Sequence, residues 1–228
     1  MCGRFTLRTR TAALAEQFGG EPPAELGLRY NIAPTQSVAI IRILPEVAGR
    51  HWQMVRWGLV PSWAKDASIG NRMINARAET IADKPSFRTA FRRRRCLIPA
   101  DGYFEWQKTD SGKQPFYLHL DDDRPFAMAG LWESWVNPAA SQPLQTCTII
   151  TTQANQVTQP IHDRMPVILS PADHDLWLDP QFQDANRLAA LLRPFEGPEL
   201  RADPVETYVN SPRNDDPRCI EVKKSLSR

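Results

Sequence analysis

Cys2 carries the most distinctive chemistry in the 228-residue chain, because it directly follows Met1. A small second residue favours removal of the initiator methionine, which would leave Cys2 with an α-amine beside its thiol. The amine has a reference pKa of about 7.7–8.0, so roughly a tenth is neutral and nucleophilic at pH 7. The thiol, near 8.5 in water, is lowered by cationic neighbours such as Arg4. Two reactions are open to this pair. The thiol attacks a carbonyl with the amine as base, as in N-terminal-nucleophile hydrolases. Alternatively, the amine condenses with an aldehyde to a Schiff base, and the thiol closes it to a five-membered thiazolidine.

Further residues of catalytic or ligand-holding type recur in short polar clusters. Arg29-Tyr30-Asn31-Ile32-Ala33-Pro34-Thr35 is a polar, rigid loop before a strand. Arg56-Trp57-Gly58-Leu59-Val60-Pro61-Ser62-Trp63 sets two tryptophans near a turn. Asn75-Ala76-Arg77 places an amide two residues from a guanidinium. In Gly102-Tyr103-Phe104-Glu105-Trp106 one acid lies between aromatics. His162-Asp163-Arg164-Met165-Pro166 offers a general acid with an arginine two residues on. Each has an ordinary structural reading as well: a turn cap for Asn75, an arginine partner for Glu105, a hydrogen-bonded structural role for His162.

Taken in order, the clusters resemble the SOS response-associated peptidase (SRAP) domain family, from Cys-Gly-Arg-Phe at 2–5 to His-Asp-Arg-Met-Pro at 162–166 and more weakly to about residue 210. The resemblance implies a sensor of abasic sites in single-stranded DNA that cross-links covalently to the lesion and shields it, and that removes its own Met1 by autoproteolysis. It implies that Cys2 attacks the C1′ aldehyde of the ring-opened deoxyribose, with possible lyase-like Schiff-base chemistry. Asn75 would orient the amine or the linked sugar. Glu105 would move protons, helped by the raised pKa expected in its aromatic setting. His162 would act as acid and base on the sugar. Arg4, Arg77 and Arg164 would hold phosphates flanking the lesion. Trp63 and Trp106 would stack on bases or else pack in the core. Asn31 and Pro34 would shape the cleft floor, and Met165 is counted with the DNA-facing residues.

Two other classes remain open on the residues. A class II glutamine amidotransferase also begins Met-Cys-Gly and uses an asparagine in its oxyanion hole, although Arg4 and Phe5 replace the smaller residues expected there. A non-covalent DNA or modified-base reader would use the same arginines and tryptophans without Cys2.

Beta-rich runs at 3–8, 37–44, 51–57, 95–107, 115–120, 126–135, 146–152 and 205–210 outnumber helical signals at 12–18 (capped by Thr11), 76–92 (broken by Pro85), 171–178 and 183–193. The 20 prolines, spread along the chain, suit many short elements joined by rigid turns. The pattern predicts an α+β fold with a large, mostly antiparallel sheet; the resemblance implies one SRAP domain over 1–210 with a barrel-like core flanked by short helices, followed by a partly ordered C-terminal tail over 211–228. No βαβ alternation or glycine-rich phosphate loop is present, which excludes Rossmann and P-loop readings.

Hydrophobic content of 42% with 24% charged residues is globular rather than disordered. No apolar run approaches the roughly 18 residues of a membrane span, and Arg4, Arg8 and Arg10 sit where a signal peptide needs its apolar core. A cytoplasmic monomer, nucleoid-associated when bound to DNA, is therefore expected. The four cysteines lack metal spacing and should be free thiols, with Cys96 and Cys147 in the core. His51, His119, His162 and His174 are scattered, so neither a metal nor another cofactor is expected. The net charge of +2 divides unevenly: residues 1–100 hold 16 Lys+Arg against 7 Asp+Glu, and residues 101–228 hold 12 against 19. Arginine supplies 22 of the 28 cations, which suits phosphate. The Arg92–Arg95 run reads either as a DNA contact or as a solvated face; on a helix, not all four side chains face one ligand.

Overall fold

The computed structural model describes residues 2–45, 47–110, 112–137 and 141–223. Thirteen strands dominate: β1 (Phe5–Leu7), β2 (Arg29–Ile32), β3 (Ser37–Leu44), β4 (Val47–Trp57), β5 (Asn75–Arg77), β6 (Arg95–Ala100), β7 (Gly102–Thr109), β8 (Gly112–Leu120), β9 (Phe126–Trp135), β10 (Leu144–Gln153), β11 (Arg164–Pro166), β12 (Ile168–Leu169) and β13 (Leu200–Pro204). Four short helices accompany them: α1 (Thr11–Phe18), α2 (Arg88–Arg93), α3 (His174–Leu178) and α4 (Ala185–Ala190).

Two sheets form. One has the order β13-β8-β7-β1-β2. The other runs β11-β10-β4-β3-β6-β9-β12, and an additional β9–β10 pairing closes β10-β4-β3-β6-β9 into a ring. The expected α+β architecture with a mostly antiparallel, barrel-like core is therefore found; β10 alone runs parallel to its neighbours β4 and β5. Ile40, Trp57, Leu97, Met128, Leu131 and Ile149 of the ring's strands are all essentially inaccessible. The four cysteines are free and buried.

The run read as one strand over 95–107 is two, β6 and β7, one in each sheet. The break is at Asp101, whose buried carboxylate accepts from the Arg8 amide and the Thr9 hydroxyl. Gly102 follows because a Cβ there would lie 2.5 Å from the Tyr117 ring. Other differences are local. Thr11 opens α1 rather than capping it; Arg10 is the N-cap and no side chain caps the helix. Residues 171–178 form a 3₁₀ turn (Pro171–Asp173) leading into α3.

The C-terminal third departs most from expectation. Residues 207–210 form a 3₁₀ turn instead of a strand, and the strand is β13, an edge strand whose position at the sheet border tolerates Pro204. The segment read as a tail packs down as far as residue 223. The Asp215 carboxylate accepts from the Tyr30 and Asn31 amides at 2.6 and 2.8 Å and pairs with Arg29. Cys219 is wholly buried beneath Phe104 and Tyr117.

Among the described residues no helix is long and apolar enough to cross a membrane.

Candidate active site

β1 brings the Cys2 end of the chain against β7. Phe5 pairs with Tyr103, and the Phe104 amide donates to the Arg4 carbonyl at 2.9 Å. Antiparallel pairing in this register carries residues 2–4 past Glu105. The other side is set by the Trp-Gly-Leu segment. The Trp57 indole donates to the Ile74 carbonyl (2.8 Å) and the Leu59 amide to Met73 (3.1 Å). Gly58, at φ 127°, lies so close to Gly70 that a Cβ would stand 2.6 Å from its carbonyl oxygen. These contacts fix Asn75, whose Nδ2 donates to the Cys2 carbonyl at 3.0 Å. Asn75 Oδ1 is buried and accepts no hydrogen bond from a described residue, a vacant acceptor beside Cys2.

Cys2 is completely buried, and burial followed by the nearby Glu105 charge pushes its thiol far above its ordinary range. The expected lowering by Arg4 does not occur. The Arg4 amide, not its guanidinium, faces the sulfur. The guanidinium is turned to Asn31 Oδ1 (2.8 Å) and the Val209 carbonyl (3.0 Å), 5.9 Å from the Trp106 ring. Glu105 is 3% exposed, and burial lifts its carboxyl from an ordinary 4.5 to about 7, the raised value expected from its apolar setting.

His162 arrives on the loop between β10 and β11. Asn155 shapes that loop, its Oδ1 accepting from the Val157 and Thr158 amides at 3.1 and 2.9 Å. Tyr103 bonds Thr158 (3.1 Å) and Gln107 donates to the Pro160 carbonyl (3.0 Å). Tyr103, Glu105 and Gln107 share one face of β7, so the loop is seated over the face that bears Glu105. The His162 ring is held below its ordinary pKa, first by burial. Its Nδ1 lies 3.0 Å from the Arg164 amide nitrogen and 2.8 Å from Asp163 Oδ1.

The arginines divide. Arg77 is exposed and its guanidinium makes no hydrogen bond with a described residue; it stands in register with Thr151 on β10. Arg164 is engaged: it forks onto Glu79 at 2.7 and 3.0 Å and donates to the Thr151 carbonyl at 2.6 Å. That pairing accounts for the glutamate in Asn-Ala-Arg-x-Glu, a signal visible in the sequence.

Trp63 is 59% exposed at an open hollow with Lys65 and Arg72. Trp106 is half-buried and donates to Asn210 at 2.8 Å. Pro34 is half-buried before Thr35, a β-branched residue at φ 71° and thus strained. Asn31 is fully buried, its Nδ2 donating to Asn214 (2.7 Å), Ser211 (3.0 Å) and Val209 (3.1 Å) carbonyls. It supports Arg4 from beneath instead of facing the cleft. Met165 requires a correction: it is wholly buried on β11 opposite Thr152 and belongs to the core. Met165→Ala is expected to cost about 2–5 kcal/mol of stability, seen as a lower melting temperature. Lost DNA affinity at unchanged stability would instead return it to the binding face.

Sequence reasoning missed Tyr103, Asn155 and Asp215, which position site residues. Among the described residues no group of three or more His, Cys, Asp and Glu side chains is placed to hold a metal ion.

The family described as SOS response associated peptidase (SRAP) matches residues 1–212. The abasic site processing protein YoqW of Bacillus subtilis is 44% identical over 225 residues, covering 97% of this chain and 99% of its own. YoaM of the same organism, also named an abasic site processing protein, is 41% identical over 230 residues, covering 99% and 100%. A crystal structure of a Bacteroides thetaiotaomicron protein superposes with a TM-score of 0.87 at 29% identity, covering 98% and 100%. This chain belongs to the SRAP family.

Proposed function

We propose that the protein recognises abasic sites in single-stranded DNA and joins them covalently through Cys2. The observation that carries this reading is the enclosure of Cys2 between the Asn75 amide and a carboxyl that titrates near neutrality. Relatives named abasic site processing proteins align over nearly the whole chain.

In the proposed sequence, loss of Met1, by autoproteolysis of the peptidase type, frees the Cys2 amine. The amine adds to C1′ of the ring-opened deoxyribose, and water leaves as the Schiff base forms. The thiol then adds to the C=N carbon, its proton passes to the nitrogen, and the thiazolidine closes. No oxidant or reductant is required. Glu105, half protonated near pH 7, gives a proton to the departing hydroxyl and takes one from the thiol, whose burial keeps it protonated at rest. Asn75 Oδ1, the vacant acceptor, orients the amine. His162 donates a proton to the sugar oxygen during ring opening. Arg77 binds a flanking phosphate, Arg4 and Arg164 complete the basic surround, and Trp63 stacks on a neighbouring base, worth about 1–3 kcal/mol.

The test is a denaturing gel. Mature protein mixed with single-stranded DNA bearing one abasic site should give a slowly migrating band, absent with undamaged DNA. Reversible binding with no such band in any lesion context rejects the covalent reading.

A further inference from the structure

The Arg92–Arg95 run resolves into two roles, and in one the guanidiniums have no partner among the described residues. Arg94 pairs with Glu133 at 2.6 Å. Arg95, 3% exposed, points inward: Nη1 donates to the Phe91 and Arg92 carbonyls (2.9 and 2.6 Å), Nε to Trp177 (2.6 Å), and Nη2 to Phe182 (2.9 Å) and Asp179. Arg95 thus bolts the end of α2 to the segment after α3. Between these two walls lies an open hollow of about 350 Å³ lined by Arg88, Thr89, Arg92, Arg93 and Gln183. No acidic side chain lines it, and the guanidiniums of Arg88, Arg92 and Arg93 make no hydrogen bond or ion pair with a described residue.

Helix stability does not explain the three arginines. Arg92 and Arg93 sit in the last turn of α2, where cations suit the helix dipole, but Arg88 is its first residue, where a cation opposes it. Arg88 and Arg92 are also a like-charged i,i+4 pair, which destabilises a helix. Three guanidiniums and two neutral hydrogen-bonding side chains converge on one hollow and fit an anion with several oxygens.

We propose that this hollow binds the phosphodiester backbone of the DNA strand beyond the lesion, as a second contact separate from the Cys2 site. The proposal rests on the single-stranded DNA reading above and adds a length requirement: strands long enough to reach the hollow bind more tightly than those that fill only the reaction site.

The test uses the full-length protein carrying Cys2→Ala, so that covalent capture does not mask affinity. Arg92→Glu with Arg93→Glu is compared with Arg88→Gln, Arg92→Gln, Arg93→Gln, and unchanged melting temperatures establish folding. On an abasic strand of about 30 nucleotides, each variant should weaken binding about tenfold at low salt. The slope of log K against log salt should become shallower by about 1.4, for two phosphates released. On a strand of about seven nucleotides, within one single-strand site size, neither affinity nor cross-linking by the Cys2-containing protein should change. Unchanged affinity on the long strand overturns the proposal, as does equal loss on both lengths. Selective weakening by inorganic phosphate or pyrophosphate, with no length dependence, would mark the hollow as a small-anion site and also overturn it. Failure of cross-linking by the unsubstituted protein would count against the covalent reading alone, since the length dependence is read without it.

Discussion

Cys2→Ala is expected to reduce the denaturation-resistant protein–DNA species below detection while leaving reversible binding of single-stranded DNA within about threefold, since no proposed phosphate or base contact is lost. The reason is specific to the ring. A mature protein with alanine at position 2 still has an α-amine, so it still forms a Schiff base with the abasic aldehyde, and borohydride should trap that adduct. Without the thiol the C=N bond hydrolyses, and nothing survives denaturation unless it is reduced first. Protein that retains Met1 carries the Cys2 nitrogen as an amide, so no thiazolidine can close and the spontaneous species should be absent. The three proteins therefore separate amine chemistry from thiol chemistry. A stable adduct formed by Cys2→Ala without borohydride would move the linkage to another nucleophile.

Much of this centre was legible because its residues sit in compact motifs whose types are unusual together. Cys2, Asn75, Glu105 and the His162 loop are drawn around β1 and β7, although they are far apart in sequence. Strand existence was also legible: β3 and β9 coincide with runs of apolar and β-branched residues. Illegible features depended on partners distant in sequence. Nothing near Arg4 indicates that Asn31 and Val209 will absorb its guanidinium, and nothing near Arg164 beyond the motif spacing points to Glu79. Met165 is adjacent to a site arginine, but strand alternation turns it to the other face, into the core. The same logic divides the arginine run, where a change from helix to strand at residue 95 buries one member and exposes its neighbours. The anchors of residues 211–223 join distant side chains to main-chain groups, which side-chain patterns do not advertise: the Asp215 carboxylate accepts from the Tyr30 and Asn31 amides, and Asn31 Nδ2 donates to the Asn214 carbonyl. The excess of cations in the first hundred residues now has an uneven explanation. Arg77 and the hollow beside α2 are available to an anion, whereas Arg29, Arg50, Arg94 and Arg95 serve the fold.

Glu105→Gln is expected to slow cross-link formation by about 10²–10³-fold and to remove a pH dependence centred on neutrality. In the intact protein Glu105 titrates near 7 because burial penalises its charged form. Below that value it donates a proton to the departing hydroxyl but is a poor base for the thiol; above it the reverse holds. The rate should therefore bend through pH 7, and glutamine, with the same shape and no proton to move, should leave the profile without that inflection. Stability supplies a second readout with a defined sign. The folded carboxyl holds its proton more tightly than the unfolded one, near 4.5, so the native state binds more protons across pH 4.5–7 and its stability falls as pH rises through that window. The contribution is complete below the unfolded value and is lost above the folded one, on the order of 3 kcal/mol for a shift of this size. Glu105→Gln should flatten that decline, so that denaturant midpoints measured at pH 5 and pH 8 differ less than in the parent protein. A variant with a flattened stability profile and an unchanged rate profile would make Glu105 a buried structural acid. Loss of both would tie the proton transfer to the carboxyl that the β1–β7 pairing places beside Cys2.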